Sequence, residues 1–216
     1  MSFGFDNTNS GSEKRYLRTP GIQTNARFVG LVYNATEQYE YFDIEIETAD
    51  GRYFRERTFG PDPTKVFPKA IYKNGKQEGM ETNAQAFERV QRDINTKLHH
   101  LALCFTTNDV LRENVKGIST LKEFVDAVNR AIGTPTNNIN FLTVWKNSDA
   151  RQKSNLILAE RIKWCEPHTE GKEATIKLTK WQLENQLVEK FPYNGGATSD
   201  SPVMVSEGVA TDDLPF

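Results

Sequence analysis

The sequence predicts a mainly β fold with inserted helices: five short strands forming a small barrel, plus two to three helices. An α+β sandwich is the alternative that the same pattern allows. Three observations predict it. Apolar and polar residues alternate from Tyr39 to Glu47 and the chain then returns through a glycine turn; two further β-rich runs lie late in the chain; and between these groups stand capped segments whose apolar residues recur every three or four positions. A chain of 216 residues suits one domain with a substantial core.

Residues 1–20 mix Gly, Ser, Asn and Thr with a basic cluster, Lys14, Arg15 and Arg18, and read as a flexible arm. A first strand is predicted over 24–33, where Phe28, Val29, Leu31, Val32 and Tyr33 concentrate β-forming residues. In the next, Phe42, Ile44 and Ile46 face the core, and Tyr41, Asp43, Glu45 and Glu47 share the other face. Ala49-Asp50-Gly51 makes a three-residue loop with Gly where a positive φ is wanted, and 52–59 returns as the third strand. That loop length sets the register with Thr48 opposite Arg52. It pairs Glu47 with Tyr53, Glu45 with Arg55, Asp43 with Arg57 and Tyr41 with Phe59. Two of these pairs oppose unlike charges, worth ~0.2–1 kcal/mol each.

Pro61, Pro63 and Pro68 then break the strand pattern, and a loop follows carrying Lys65, Lys69, Lys73, Lys76, Phe67 and Tyr72. Thr82 and Gln85 form a capping box ahead of Phe87, Val90, Ile94, Leu98, Leu101 and Phe105, a long amphipathic helix. A second helix starts at Thr120 with Glu123, carries Leu121, Phe124, Val125, Val128 and Ile132, and ends at Gly133 before Pro135. Strands return at 139–146 and 155–164 around a polar loop, a short run covers 174–178, and Thr179 with Gln182 caps a last helix. Three early strands, two late ones and a helical insertion at about 80–133 make residues 21–193 OB-fold-like. That architecture binds oligonucleotides with its strand face and loops.

The register gathers Tyr41, Tyr53, Phe59, Arg55 and Arg57 on one face, with Tyr39 nearby and Arg52 at its end. Aromatics interleaved with arginines suit a sequence-tolerant single-strand binder, in which bases stack and cations hold the backbone. Lys65, Lys69, Lys73, Trp145, Arg151 and Lys153 complete the candidate DNA-binding set. The competing reading is that another element covers this face and hides the aromatics. Asp43, Glu45 and Glu47 could also be read as carboxylates for Mg²⁺-assisted nuclease work, although strand alternation with arginine partners explains them more simply. His100, Cys104, Cys165 and His168 compose a two-Cys, two-His set in zinc-like spacing; a buried thiol is the plainer outcome for Cys104, and no cofactor is expected. Glycine loops for phosphate or dinucleotide binding and a nucleophile elbow are not found in the sequence, and no catalytic residue is assigned.

Charge is uneven along the chain. Of 29 acidic residues four follow Lys190, the last cation, so residues 1–190 hold 27 cations and 25 acids and the tail is purely acidic. Residues 194–216 read as a disordered acidic tail, low in apolar content until Asp212-Asp213-Leu214-Pro215-Phe216. An aromatic and a leucine on an acidic tether suit capture by an apolar pocket with a basic rim. This ending resembles that of the single-stranded DNA-binding proteins of bacteria and their phages, over about five residues. The resemblance implies a protein of DNA replication, recombination and repair whose tip, Asp212 to Phe216, recruits partner proteins and competes with DNA for the protein's own groove.

With no membrane-length apolar run and two cysteines that form no disulfide framework, the chain is expected in the cytoplasm, the host's if a phage encodes it. The other function class consistent with the sequence is a protein interaction or virion assembly module whose outer aromatics are an oligomer interface. Whether the chain forms a homo-oligomer is left open.

Overall fold

The computed structural model describes residues 14–146, 156–159 and 162–185. Its elements are β1 (Gly21–Ala35), β2 (Glu40–Glu47), β3 (Tyr53–Phe59), β4 (Ala70–Lys73), β5 (Lys76–Met80), α1 (Asn83–Ala102), α2 (Asn108–Val115), α3 (Leu121–Ile132), β6 (Ile139–Trp145), β7 (Leu156–Leu158), β8 (Cys165–Pro167) and α4 (Lys180–Asn185). The fold is mainly β, with a large antiparallel sheet in the order β3-β2-β1-β6-β7 and β8 joined to β6.

The early hairpin forms in the register its loop dictates. Tyr41 faces Phe59, Asp43 faces Arg57, Glu45 faces Arg55 and Glu47 faces Tyr53, while Gly51 takes φ 77° to close the turn. Thr48 accepts from the Arg52 amide at 3.0 Å and locks the loop base. β1 is long because it serves two partners, with Gly21–Ala26 on β6 and Arg27–Ala35 on β2. Between these halves Asn25 sits at φ 54°, and its amide donates to Asn140 Oδ1 at 3.2 Å. A second irregularity between Phe28 and Gly30 is served by α3, whose Asn129 donates to the Leu31 carbonyl at 2.9 Å. Such shifts bend a strand and increase its twist, so one strand turns the sheet around the core.

That core contains Phe28, Leu31, Phe42, Ile44, Ile46 and Phe54 on one side, and Leu98, Leu101, Val125, Val128, Phe141 and Trp164 on the other, all buried. Helix starts follow from their caps: Thr82 and Gln85 form the reciprocal capping box of α1, and Thr120 caps α3, which ends at Gly133 with φ 65°. Thr179 and Gln182 pair in the same way at α4.

One polar residue sits inside this apolar face. Glu56 lies opposite Ile44, is buried, and accepts from the Lys97 ammonium of α1 and from the Leu158 amide of β7. It joins one edge of the sheet, β3, to the other, β7. Among the described residues the two edges do not pair as strands, and the sheet they form is not a closed barrel, which corrects the predicted closure.

Other expectations also change. Among the described residues eight strands and four helices form, against five and two to three expected, and the helical insertion includes α2, capped by Thr107. The predicted loop at 60–80 contains the β4–β5 hairpin, built on an Asn74-Gly75 turn with both residues at positive φ. Of the strand expected at 155–164 the described residues form β7 at Leu156–Leu158, and β8 begins just beyond the expected end, at Cys165. In the short run 174–178 ahead of α4, Thr175 donates its amide to buried Glu166 at 2.7 Å, so a side chain holds this segment. The predicted tail 194–216 and residues 1–13 of the arm lie outside the described residues. No described helix is long and apolar enough to cross a membrane.

Candidate nucleic-acid interface

The outer face of β1, β2 and β3 is the candidate site, and its geometry follows from pairing. Tyr41 and Phe59 are directly opposite, with ring centroids 5.8 Å apart, and Tyr39 meets Phe59 edge-on at 5.6 Å. Phe59 is 51% exposed and Tyr39 46%, so the centre of this row keeps open ring surface. Cations bracket it. Arg57 lies over the Tyr41 ring at 4.0 Å and Lys65 over the Tyr39 ring at 4.2 Å. Tyr39 is placed by the turn between β1 and β2, where the Thr36 hydroxyl accepts from the Tyr39 amide at 3.0 Å. Lys65 is placed by its amide, donating to the Asp62 carbonyl at 3.0 Å, and by its ammonium on the Gln38 carbonyl. A shallow concavity lined by Thr36, Tyr39, Gly60 and Pro61 opens beside the row.

Electrostatics divide the face. Arg57 forms a two-pronged pair with Asp43 at 3.0 and 3.2 Å; the Asp43 hydrogen bond strengthens its hold on its proton. Arg27 pairs with Glu47, and Arg52 with Asp50 at 2.8 Å. Arg55, exposed opposite Glu45, makes no ion pair with a described residue. Arginines and carboxylates therefore balance across the middle of the sheet. These partners also explain the carboxylate run without a metal: Asp43 and Glu47 are held by Arg57 and Arg27.

Tyr53 departs from its predicted role. It is buried at 8% exposure because residues 14–17 lie along β3. The Tyr53 amide donates to the Arg15 carbonyl at 2.7 Å, and the Leu17 amide to the Tyr53 carbonyl at 2.9 Å. Tyr16 packs edge-on at 5.9 Å, and Lys14 sits over the ring at 4.0 Å. Burial first, and then the Glu45 carboxylate, push the hydroxyl well above the usual tyrosine range. The last residues of the predicted mobile arm are thus fixed, and they cover this end of the face. From Arg55 to Phe59 it stays open.

The structure brings Tyr41, Arg57, Phe59 and Lys65 of the expected set together, with Tyr39 against Phe59. Lys69 and Lys73 belong to the β4–β5 hairpin. Trp145 is half-buried at the end of β6, beyond β1 from this row. Arg151, Lys153 and the tip Asp212 to Phe216 lie outside the described residues. Sequence reasoning missed the hairpin, whose Asn-Gly turn was its available signal.

The zinc-like set does not assemble. Cys104 and Cys165 have their sulfurs 3.6 Å apart, but His168 Nδ1 faces Asn140 Oδ1 at 2.9 Å. Partly buried His100 has its proton affinity lowered by burial and by His99. Among the described residues no three of His, Cys, Asp and Glu come together as a metal site. Both thiols are free and buried, and burial, with Cys104 beside it, pushes the Cys165 thiol up. Little thiolate forms under such conditions. Iodoacetamide is therefore expected to alkylate neither cysteine appreciably in the folded protein and both after denaturation; rapid double modification of folded protein, read by mass spectrometry, would contradict the buried pair.

Comparison with protein-family models, with curated proteins and with solved structures finds no match to this chain.

Proposed function

We propose that this protein binds single-stranded DNA without strong sequence preference, as an accessory of replication or recombination. The row Tyr39, Phe59 and Tyr41, in which Tyr39 and Phe59 are exposed and Tyr41 is half-buried under Arg57, with Lys65 at the other end, is the observation that carries this reading. Every base has a π-face, so stacking on such a row is sequence-tolerant, at ~1–3 kcal/mol per base. Arg55 and Lys65 supply cations for the backbone. An OB-type topology is consistent with the strand order, with the helices between β3 and β6, and with the approach of β3 to β7 through Glu56. The reading involves no covalent chemistry.

Asp212 to Phe216 take the role of a tip that recruits replication or recombination proteins. Since that acidic segment competes with DNA for cationic groups, removing residues 208–216 is expected to leave affinity for a dT oligonucleotide equal or higher. A marked loss on deletion would contradict the competition.

The balanced charge in the middle of the sheet favours a second reading, an interaction or virion assembly module. Fluorescence anisotropy of a labelled dT oligonucleotide and a matching duplex, titrated at low and raised salt, separates the two. The single-strand reading predicts salt-weakened binding to dT and little affinity for the duplex. No binding at low salt would put the interaction module first.

A further inference from the structure

Resting on the single-strand reading, we propose that the β4–β5 hairpin is a second contact for the same DNA strand, stacking bases on Phe67 and Tyr72 and holding phosphates with Lys73 and Lys76. The hairpin stands apart from the main sheet, since among the described residues β4 and β5 pair only with each other. An isolated two-stranded ribbon is marginal in water, and this one exposes large side chains: Phe67 at its root is 83% exposed and Tyr72 66%. Its register also places Lys73 directly opposite Lys76 next to the Asn74-Gly75 turn. Like charges in facing positions destabilise a hairpin; neither lysine has an ion-pair partner among the described residues. An anion between them removes that repulsion.

Charge complementarity identifies the occupant. Residues 69–80 carry Lys69, Lys73 and Lys76 against Glu78 alone, whereas cations and carboxylates balance across the sheet. Tyr72 and the Lys73–Lys76 pair take opposite faces of this narrow ribbon, so an exposed ring and surplus positive charge meet at its tip and fit a polyanion that carries bases and wraps it. The root is fixed, which aims the ribbon. Glu81 accepts from the Lys69 amide at 3.0 Å and from Arg89 Nε at 2.9 Å, and Arg89 also donates to the Phe67 carbonyl at 3.0 Å. The chain links the two places: Phe67 lies two residues beyond Lys65, whose ammonium covers Tyr39, so the Lys65 and Phe67 Cα atoms are within about 7 Å.

The test uses the full chain, a Phe67→Ala/Tyr72→Ala variant, a Lys73→Gln/Lys76→Gln variant and Phe59→Ala, with thermal unfolding as the folding control. Each is titrated by anisotropy with dT oligonucleotides at the short end and beyond the long end of the ~4–16 nucleotide range of OB-type sites. Both hairpin variants are expected to bind the short oligonucleotide as the parent does and to lose ~10-fold or more on the long one. Phe59→Ala should lose on both. Hairpin variants that bind the long oligonucleotide as tightly as the parent would overturn the hairpin contact and leave the single-strand reading standing. Equal losses on both lengths would overturn its role as a contact reached only by longer strands. A parent that binds neither length overturns both.

Discussion

Phe59→Ala is expected to weaken binding to a dT oligonucleotide by ~5- to 100-fold with a modest loss of thermal stability. Phe59 is half exposed and forms the middle of the aromatic row, touching Tyr39 and Tyr41. A ring stacked on one base contributes ~1–3 kcal/mol, and each ~1.4 kcal/mol is tenfold in affinity. Truncation also removes two ring–ring contacts, each worth ~0.2–1 kcal/mol of stability. Thermal unfolding measures that loss separately, and the titration is made well below Tm. Phe59→Tyr, which keeps the ring, should retain most of the affinity. Unchanged binding by Phe59→Ala, measured by anisotropy, would remove the row from the interface.

Glu56→Ala is expected to be the most destabilising single change. It leaves the Lys97 ammonium and the Leu158 amide without their shared acceptor, and both side chains of the Glu56–Lys97 pair are largely buried, at 7% and 13% exposure. Breaking a buried pair from one side costs ~3–5 kcal/mol. For a chain of this length ~3 kcal/mol lowers Tm by about 6–12 °C. Glu56→Gln keeps an acceptor for one of the two donors and should fall between parent and alanine variant. Chemical denaturation measures the difference, and an alanine variant as stable as the parent would show that the clip between β3 and β7 holds nothing together.

Much of the site's register was legible because it is local. A three-residue loop with Gly51 at positive φ allows one pairing of the flanking strands, and that pairing alone sets Tyr41 against Phe59 and Asp43 against Arg57. The caps at Thr82, Thr120 and Thr179 were legible for the same reason, since the reciprocal side chains lie three residues apart. What was lost depends on distant contacts. The burial of Tyr53 comes from a bridge to Tyr16, 37 positions away, and nothing in the pattern of either segment signals it. The inward position of Glu56 follows from the register, but its partner Lys97 lies on a helix 41 residues on. The β4–β5 hairpin was obscured by its own composition, with strands of four and five residues whose lysines and exposed aromatics imitate a loop. Closure of the sheet is likewise a long-range property, and the two edges meet through one side chain where paired strands were expected.

If bases of a single strand lie on the row of Tyr39, Tyr41 and Phe59, photochemical cross-linking of a bound, iodouracil-substituted dT oligonucleotide, followed by mass spectrometry of the protein's peptides, will find them there. Adducts are expected at Tyr39, Tyr41 and Phe59, reduced by unlabelled dT and by salt. Adducts confined to other elements, such as α3 or β6, or no adduct with these three rings, would contradict that placement.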